Sequence, residues 1–403
     1  MRMSPGGRMR RTVAVLAFTL LSGTLVLGQD AGAVILTYQR NFVRSSLATK
    51  LELLKEAGKS GGSEMGPLYD TALSFVLDNA GLLGDDAQLR DLALLAVRKA
   101  GEVGQARSAG DIWSVFQVYK SDSELRAAAV LAYARTGTGQ PTTVADLSGF
   151  LASQNSLFRS GLQPDYPAFE ATLEALGLLG DPSSYQVLFA SYVAAPTPTV
   201  RTKAAAALSK LKGDLRAYLE EVIAKGAALE KTAALELGFA SPALGSEDQG
   251  RLAEAALASS LDWKGDSPVE QAAMRKLRLA SVRQIGALHW QRAAPLAIRH
   301  FRLLLGDYQD GKGAEEDLLD AITCLGAMGS SDAALALSLY LQLINGQTEQ
   351  GKPYDQALLL GVIRALGSLG DKVAFDYLLY IGYLQYPEAI KDAAKEALQD
   401  LKW

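Results

Sequence analysis

The 403-residue chain holds one cysteine, two histidines and 13 prolines. A single cysteine excludes an internal disulfide framework and any cluster held by several of the chain's own thiolates. Two histidines leave little for imidazole catalysis or a multi-histidine metal site. Beyond the N-terminus no apolar run approaches the roughly 20 residues that span a bilayer. No stretch shows the period-two alternation of a half-buried strand. An excess of base is also missing: 40 Lys and Arg stand against 44 Asp and Glu, net −4, whereas a general nucleic-acid binder carries a strongly basic footprint. What remains is 49% apolar and 21% charged, too apolar for disorder. The length alone suggests two or three domains.

The N-terminus reads as an export signal. Arg2, Arg8, Arg10 and Arg11 precede the apolar run VAVLAFTLLSGTLVL, and Ala31-Gly32-Ala33 supplies the small residues of a cleavage site. Ser22, Gly23 and Thr24 interrupt the run, which argues against a permanent anchor helix. Residues 1–33 are therefore expected to be removed, with a second possible cut after Gly28. The mature chain would carry a net charge of −7, since the segment holds four Arg and one Asp. Export to the periplasm or beyond follows, with no transmembrane anchor left after cleavage.

The rest is repetitive. ALGLLGD at 175–181 recurs as ALGSLGD at 365–371 and CLGAMGS at 324–330, with looser copies at 79–85 and 284–290. Gly286, Gly326 and Gly367 follow one another at intervals of 40 and 41 residues, a period expected of stacked helix pairs. Amphipathic, alanine-rich stretches such as VRTKAAAALSKL (200–211) and LRAAAVLAYA (125–134) precede the glycines. Each glycine is expected to end its helix at positive φ, with Asp or Ser capping the next, as at Asp181-Pro182. Residues 34–57 form one further amphipathic helix, and 58–67 a flexible glycine-rich loop. Residues 68–403 form the array, closed by a C-terminal helix at 387–403 rich in Lys and Glu.

These residues resemble the HEAT-repeat family, in particular its short bacterial lyase-type variant. The family's second-helix opening appears in Trp290-Gln291-Arg292-Ala293-Ala294-Pro295-Leu296-Ala297, with Trp290 in place of the usual Asp. Its Val-Arg opening of the first helix appears as Val200-Arg201 and Leu125-Arg126. The resemblance covers residues 88–403 in about eight helix pairs. It implies an all-α, right-handed α-solenoid of HEAT-like helix pairs with N- and C-terminal capping helices.

Several catalytic signatures match by letter and fail on context. Gly58-Lys59-Ser60-Gly61-Gly62 spells a nucleophile elbow, but lies between helices rather than after a strand. Gly306 to Gly313 nearly spells a phosphate-binding loop, yet Gly313 stands where Ser or Thr binds magnesium, and Asp307 and Asp310 would repel phosphate. Counted from Asp307 as a calcium loop, Leu318 falls on the position that requires Glu, so Glu315, Glu316 and Asp317 read as acids favouring a helix N-terminus. His289 and His300 would stand about 16 Å apart on one helix, too far to share a metal. Cys324 lies on an apolar helix face and reads as a packed thiol. The sequence therefore indicates no enzyme, cofactor or metal.

Two features rise above background. Between Glu270 and Asp307 there is no acid, while Arg275, Lys276, Arg278, Arg283, Arg292, Arg299 and Arg302 supply seven bases. This is a candidate dock for an acidic protein, anionic glycan or lipid headgroup, against the alternative of a solvated face balanced by acids on adjoining repeats. The first four bases are expected to face solvent. Tyr377, Tyr380, Tyr383 and Tyr386 recur every third residue, so on a helix they wind about 60° per step and cannot all be buried. Some must reach the surface, where Tyr is favoured at interfaces. The expected function is a non-enzymatic exported scaffold that mediates protein–protein interaction in the bacterial cell envelope. The alternatives are a glycan- or small-ligand-binding periplasmic protein, or a lyase-type HEAT enzyme, the last disfavoured by the signal peptide.

Overall fold

The computed structural model describes residues 31–402, apart from positions 61, 85 and 266. Most of the expected export segment lies outside the described residues; its last three, Ala31–Ala33, open the first helix. Twenty α-helices and no strand occur among the described residues. They are α1 (Ala31–Arg44), α2 (Leu47–Ser60), α3 (Gly66–Leu83), α4 (Ala87–Val103), α5 (Ala109–Val118), α6 (Ser123–Thr136) and α7 (Pro141–Arg159). There follow α8 (Tyr166–Leu179), α9 (Tyr185–Ala194), α10 (Pro198–Leu208), α11 (Leu215–Lys225), α12 (Ala228–Ala240) and α13 (Ser246–Leu261). The chain closes with α14 (Pro268–Ala287), α15 (Ala294–Gln309), α16 (Glu315–Gly326), α17 (Ser331–Glu349), α18 (Gln356–Leu369), α19 (Phe375–Ile381) and α20 (Glu388–Gln399).

The helices stack in two layers around one apolar seam. Even-numbered helices pack on their even neighbours, α4 on α6, α6 on α8 and so on to α18 on α20, and most odd-numbered helices do likewise, as α3 on α5, α7 on α9 and α11 on α13. The break falls mid-chain, where α10 and α12 barely touch and the helices shorten. The single helix expected over 34–57 is two, parted at Ser45-Ser46, where the buried Lys50 ammonium donates to the carbonyls of Phe42, Val43 and Ser45. The expected loop at 58–67 is shorter, because α2 runs to Ser60 and α3 starts at Gly66.

The repeat glycines have two roles rather than one. In ALGLLGD the second glycine, Gly180, is the left-handed C-cap at φ 67°, and Gly370 matches it at φ 61°. The first glycine is inside the helix, at the crossing of neighbouring even helices. A Cβ on Gly177 would lie 3.0 Å from Ala207 Cα, and one on Gly367 3.2 Å from Ala397 Cα. Glycine and alanine are paired here because the backbones nearly touch.

The chain is also a tandem of two ten-helix halves. Helices α7 and α8 begin and end 190 residues before α17 and α18, and the 3₁₀ turns Pro182–Ser184 and Lys372–Ala374 keep the same interval. The left-handed glycines Gly139, Gly161 and Gly180 recur at that spacing as Gly329, Gly351 and Gly370. Asp165 and Asp355 cap equivalent helices, each worth about 1 kcal/mol. Asn155 donates to the Val187 carbonyl and Asn345 to the Tyr377 carbonyl, both at 3.4 Å. At the start of the halves, Lys50 donates to carbonyls eight and seven residues back, and Lys231 on α12 does the same to Ile223 and Ala224. The copies at 175–181 and 365–371 are visible in the sequence, but a 40-residue period hides the larger interval between them.

Candidate binding surface

The basic segment is largely neutralised by the repeats beside it. Arg275 pairs with Asp317 and Arg283 with Asp320, both at 2.6 Å, across to α16. Arg292 and Arg299 on the α15 side pair back to α13, to Glu254 and Asp262, and Lys276 lies 3.6 Å from Glu236. Each partner stands one repeat away, which is why a stretch without acids in sequence is not a stretch without acids in space. Arg302 is exposed and forms no ion pair among the described residues. Arg278 departs from the expected solvent-facing row. It is half-buried with an unpaired Nε, and burial lowers its pKa. Next to it His300 is 1% exposed with both ring nitrogens unpartnered, so burial, with the Arg278 charge behind it, holds the imidazole down to about 4. His289 sits apart, in the turn after α14. Cys324 is buried, which pushes its thiol up to about 12. Among the described residues no group of His, Cys, Asp and Glu could hold a metal.

The tyrosines divide. Helix α19 ends at Ile381, so Tyr383 and Tyr386 lie beyond it and the helical step applies only to Tyr377 and Tyr380. Tyr386 is buried; its hydroxyl donates to Asn345 Oδ1 at 3.0 Å and pairs with Thr348, and its ring meets Tyr354 edge-on. Tyr383 is 76% exposed. Tyr377 and Tyr380 line an open cleft of about 710 Å³ between the C-terminal end of α17 and α19. Tyr380 donates to the Glu349 carboxylate, which raises its pKa. A smaller cavity of about 130 Å³, toward α15, shares Leu343 and Gln347 with the cleft and adds Tyr308, Tyr340, Tyr354 and Asp355.

The cleft holds groups without internal partners. The carboxamides of Gln342, Gln347 and Gln350, the Asp376 carboxylate and the Lys352 ammonium line it and make no side-chain bond within the described chain. Acids outnumber bases in the cleft, where Glu349 and Asp376 stand against Lys352, and Asp355 adds a carboxylate in the smaller cavity. Close by, the charge of Asp355 raises the pKa of Glu315. Along the outer face of α17 the cleft continues into Leu335, Leu339 and Leu343, exposed by 42%, 48% and 39% at four-residue steps. Sequence reasoning missed this stripe because leucine at helical spacing reads as core; the signal was a second apolar face on α17, beside the buried one of Leu337, Leu341 and Ile344.

The first half serves as an internal control. At the positions of Leu335, Leu339 and Leu343, α7 carries Ala145, Gly149 and Ser153. Where the second half has Tyr377, Tyr380 and Tyr383, the first has Val187, Ala190 and Val193. The frame folds without the leucines and tyrosines. Compared with protein-family models and with curated proteins, the chain matches none.

Proposed function

We propose that this protein is an exported, non-enzymatic scaffold of HEAT-like repeats that docks a protein partner in the bacterial cell envelope through the outer face of α15, α17 and α19. The observation that carries the reading is the leucine and tyrosine surface of the second half, set against Ala, Gly, Ser and Val at the same places in the first. Exposed apolar stripes rimmed by polar groups favour association, and tyrosine is favoured at interfaces. The positively charged, apolar N-terminal run supports export. A glycan-binding reading draws on the free carboxamides and tyrosine faces of the cleft, but it leaves the leucine stripe uncovered, whereas a polypeptide can cover both.

The test is a photo-crosslinking amino acid at position 339, with the equivalent position 149 as control, in cells that export the protein. A discrete protein adduct at 339 and none at 149 is expected. Indistinguishable adducts at the two positions would contradict the reading.

A further inference from the structure

We infer that the segment docked on α17 is an amphipathic, cationic polypeptide: leucine-like side chains lie along Leu335, Leu339 and Leu343, and a Lys or Arg enters the tyrosine cleft. The inference rests on the scaffold reading and adds the chemistry of the partner.

Three observations fix the occupant. The stripe and the cleft are continuous, because Leu343 belongs to both, so one ligand must satisfy an apolar face about two turns long and a polar end. At that polar end two carboxylates, Asp376 without a partner and Glu349 engaged by a neutral hydroxyl, stand against one ammonium, Lys352, so the net charge is negative. A cation is the complement, and the faces of Tyr377 and Tyr380 offer it a quadrupole attraction as well. The third is the set of free carboxamides, which each present a donor and an acceptor, as a peptide backbone requires. An acidic segment would meet repulsion from Asp376 and Glu349. A neutral saccharide would use the amides and rings but leave the leucines in water.

The basic stretch on α14 and α15 suggests the opposite partner until its pairs are seen. Five of its bases are paired with acids of adjoining helices and Arg278 is half-buried, which leaves Arg302 as its one exposed unpaired base among the described residues.

The experiment is calorimetric titration of the mature chain with a synthetic peptide holding two leucines four residues apart followed by two arginines. The same peptide with glutamates for the arginines, and maltotriose as a neutral saccharide, are the comparisons. The arginine peptide is expected to bind at least about tenfold more tightly than the glutamate peptide, a difference of about 1.4 kcal/mol. Its affinity should fall as ionic strength rises from about 0.05 M to about 0.5 M, because both charged partners are exposed. The double variant Asp376→Asn, Glu349→Gln should lose most of the preference, and Leu339→Ser should weaken both peptides. Gln186→Ala, at the place of Asp376 in the first half, should change nothing. These positions are exposed, and an unchanged melting curve in each variant shows that folding is not at issue. Equal binding of the two peptides, or binding of maltotriose with neither peptide, overturns the inference. If neither peptide binds while position 339 still crosslinks a discrete protein, the scaffold reading stands and the cationic partner falls. If position 339 crosslinks no better than 149, the scaffold reading falls too.

Discussion

The two halves share a frame and differ in what they expose. Gly180 and Gly370, Asp165 and Asp355, Asn155 and Asn345 occupy equivalent places and make equivalent bonds. These are the residues a stack of short helices requires: left-handed caps, N-caps and a buried amide that ties one odd helix to the next. What differs lies on the outside of α17 and α19. Residues that fold does not need, yet that one half carries and the other lacks, are the strongest sign of use available within a single chain.

The ends differ from the middle in a similar way. Two and six residues after Lys231, α12 carries the buried Ala233 and Leu237. Two and six residues after Lys50, α2 carries Glu52 and Glu56, exposed and paired with Lys55 and Lys59. The face that is buried on α12, within the array, is charged and exposed on α2.

The largest effect that separates the halves is their response to acid. His300 is neutral in the folded state, held down to about 4 by burial, while in the unfolded chain it titrates near its ordinary 6.5. The unfolded state therefore binds more protons between these values, and stability contributed by neutral His300 is lost as pH falls from 6.5 toward 4. The loss approaches about 3 kcal/mol. Arg278 and Arg275 reinforce it and Asp317 opposes it. Hydrogen exchange followed from pH 7 to pH 4.5 should show α14–α16 loosening before α4–α8, and His300→Phe should remove most of that difference. Uniform loosening of both halves would break the comparison.

Crowding at the helix crossings ranks next. Gly177→Val forces a side chain against Ala207 in the middle of the stack, and Gly367→Val forces one against Ala397 on the terminal helix. Overpacking of this kind costs about 1–3 kcal/mol. The melting temperature should fall by similar amounts in the two variants, because α10 packs on α8 and α9 as α20 packs on α18 and α19. Markedly unequal shifts would mean that the two halves are not equivalent at this crossing.

How much of this was legible in the sequence follows the same division. Period, caps and helix class could be read, because glycine, aspartate and alanine act within a few residues of themselves. The pairing of Arg275 with Asp317 or Arg299 with Asp262 could not, since each joins residues about one repeat apart whose meeting depends on how the layers stack. Tyr377 and Tyr380 were found as candidates, but the cleft needed α17 set against α19. Gln342, Gln350 and Asp376 have no sequence pattern of their own. Lys50 and Lys231 look like surface lysines, and only the broken helix ends around them show why they are buried.

The smallest effect concerns the caps. Replacing Glu52 with Ala and Glu56 with Leu gives α2 the surface that α12 has at the join. Stability should change by less than about 0.5 kcal/mol, since both positions are exposed. Sedimentation should instead show concentration-dependent association, and a variant that stays monomeric would mean that the charges do not keep the free end apart.

The central claim, that the second half binds where the first only supports, is tested most directly by hydrogen-exchange mapping of the protein with and without the leucine–arginine peptide. Protection is expected at 339–352 and 375–381, with no change at the equivalent 149–162 and 185–191. Protection of equal size in both halves, or in neither, would contradict the account.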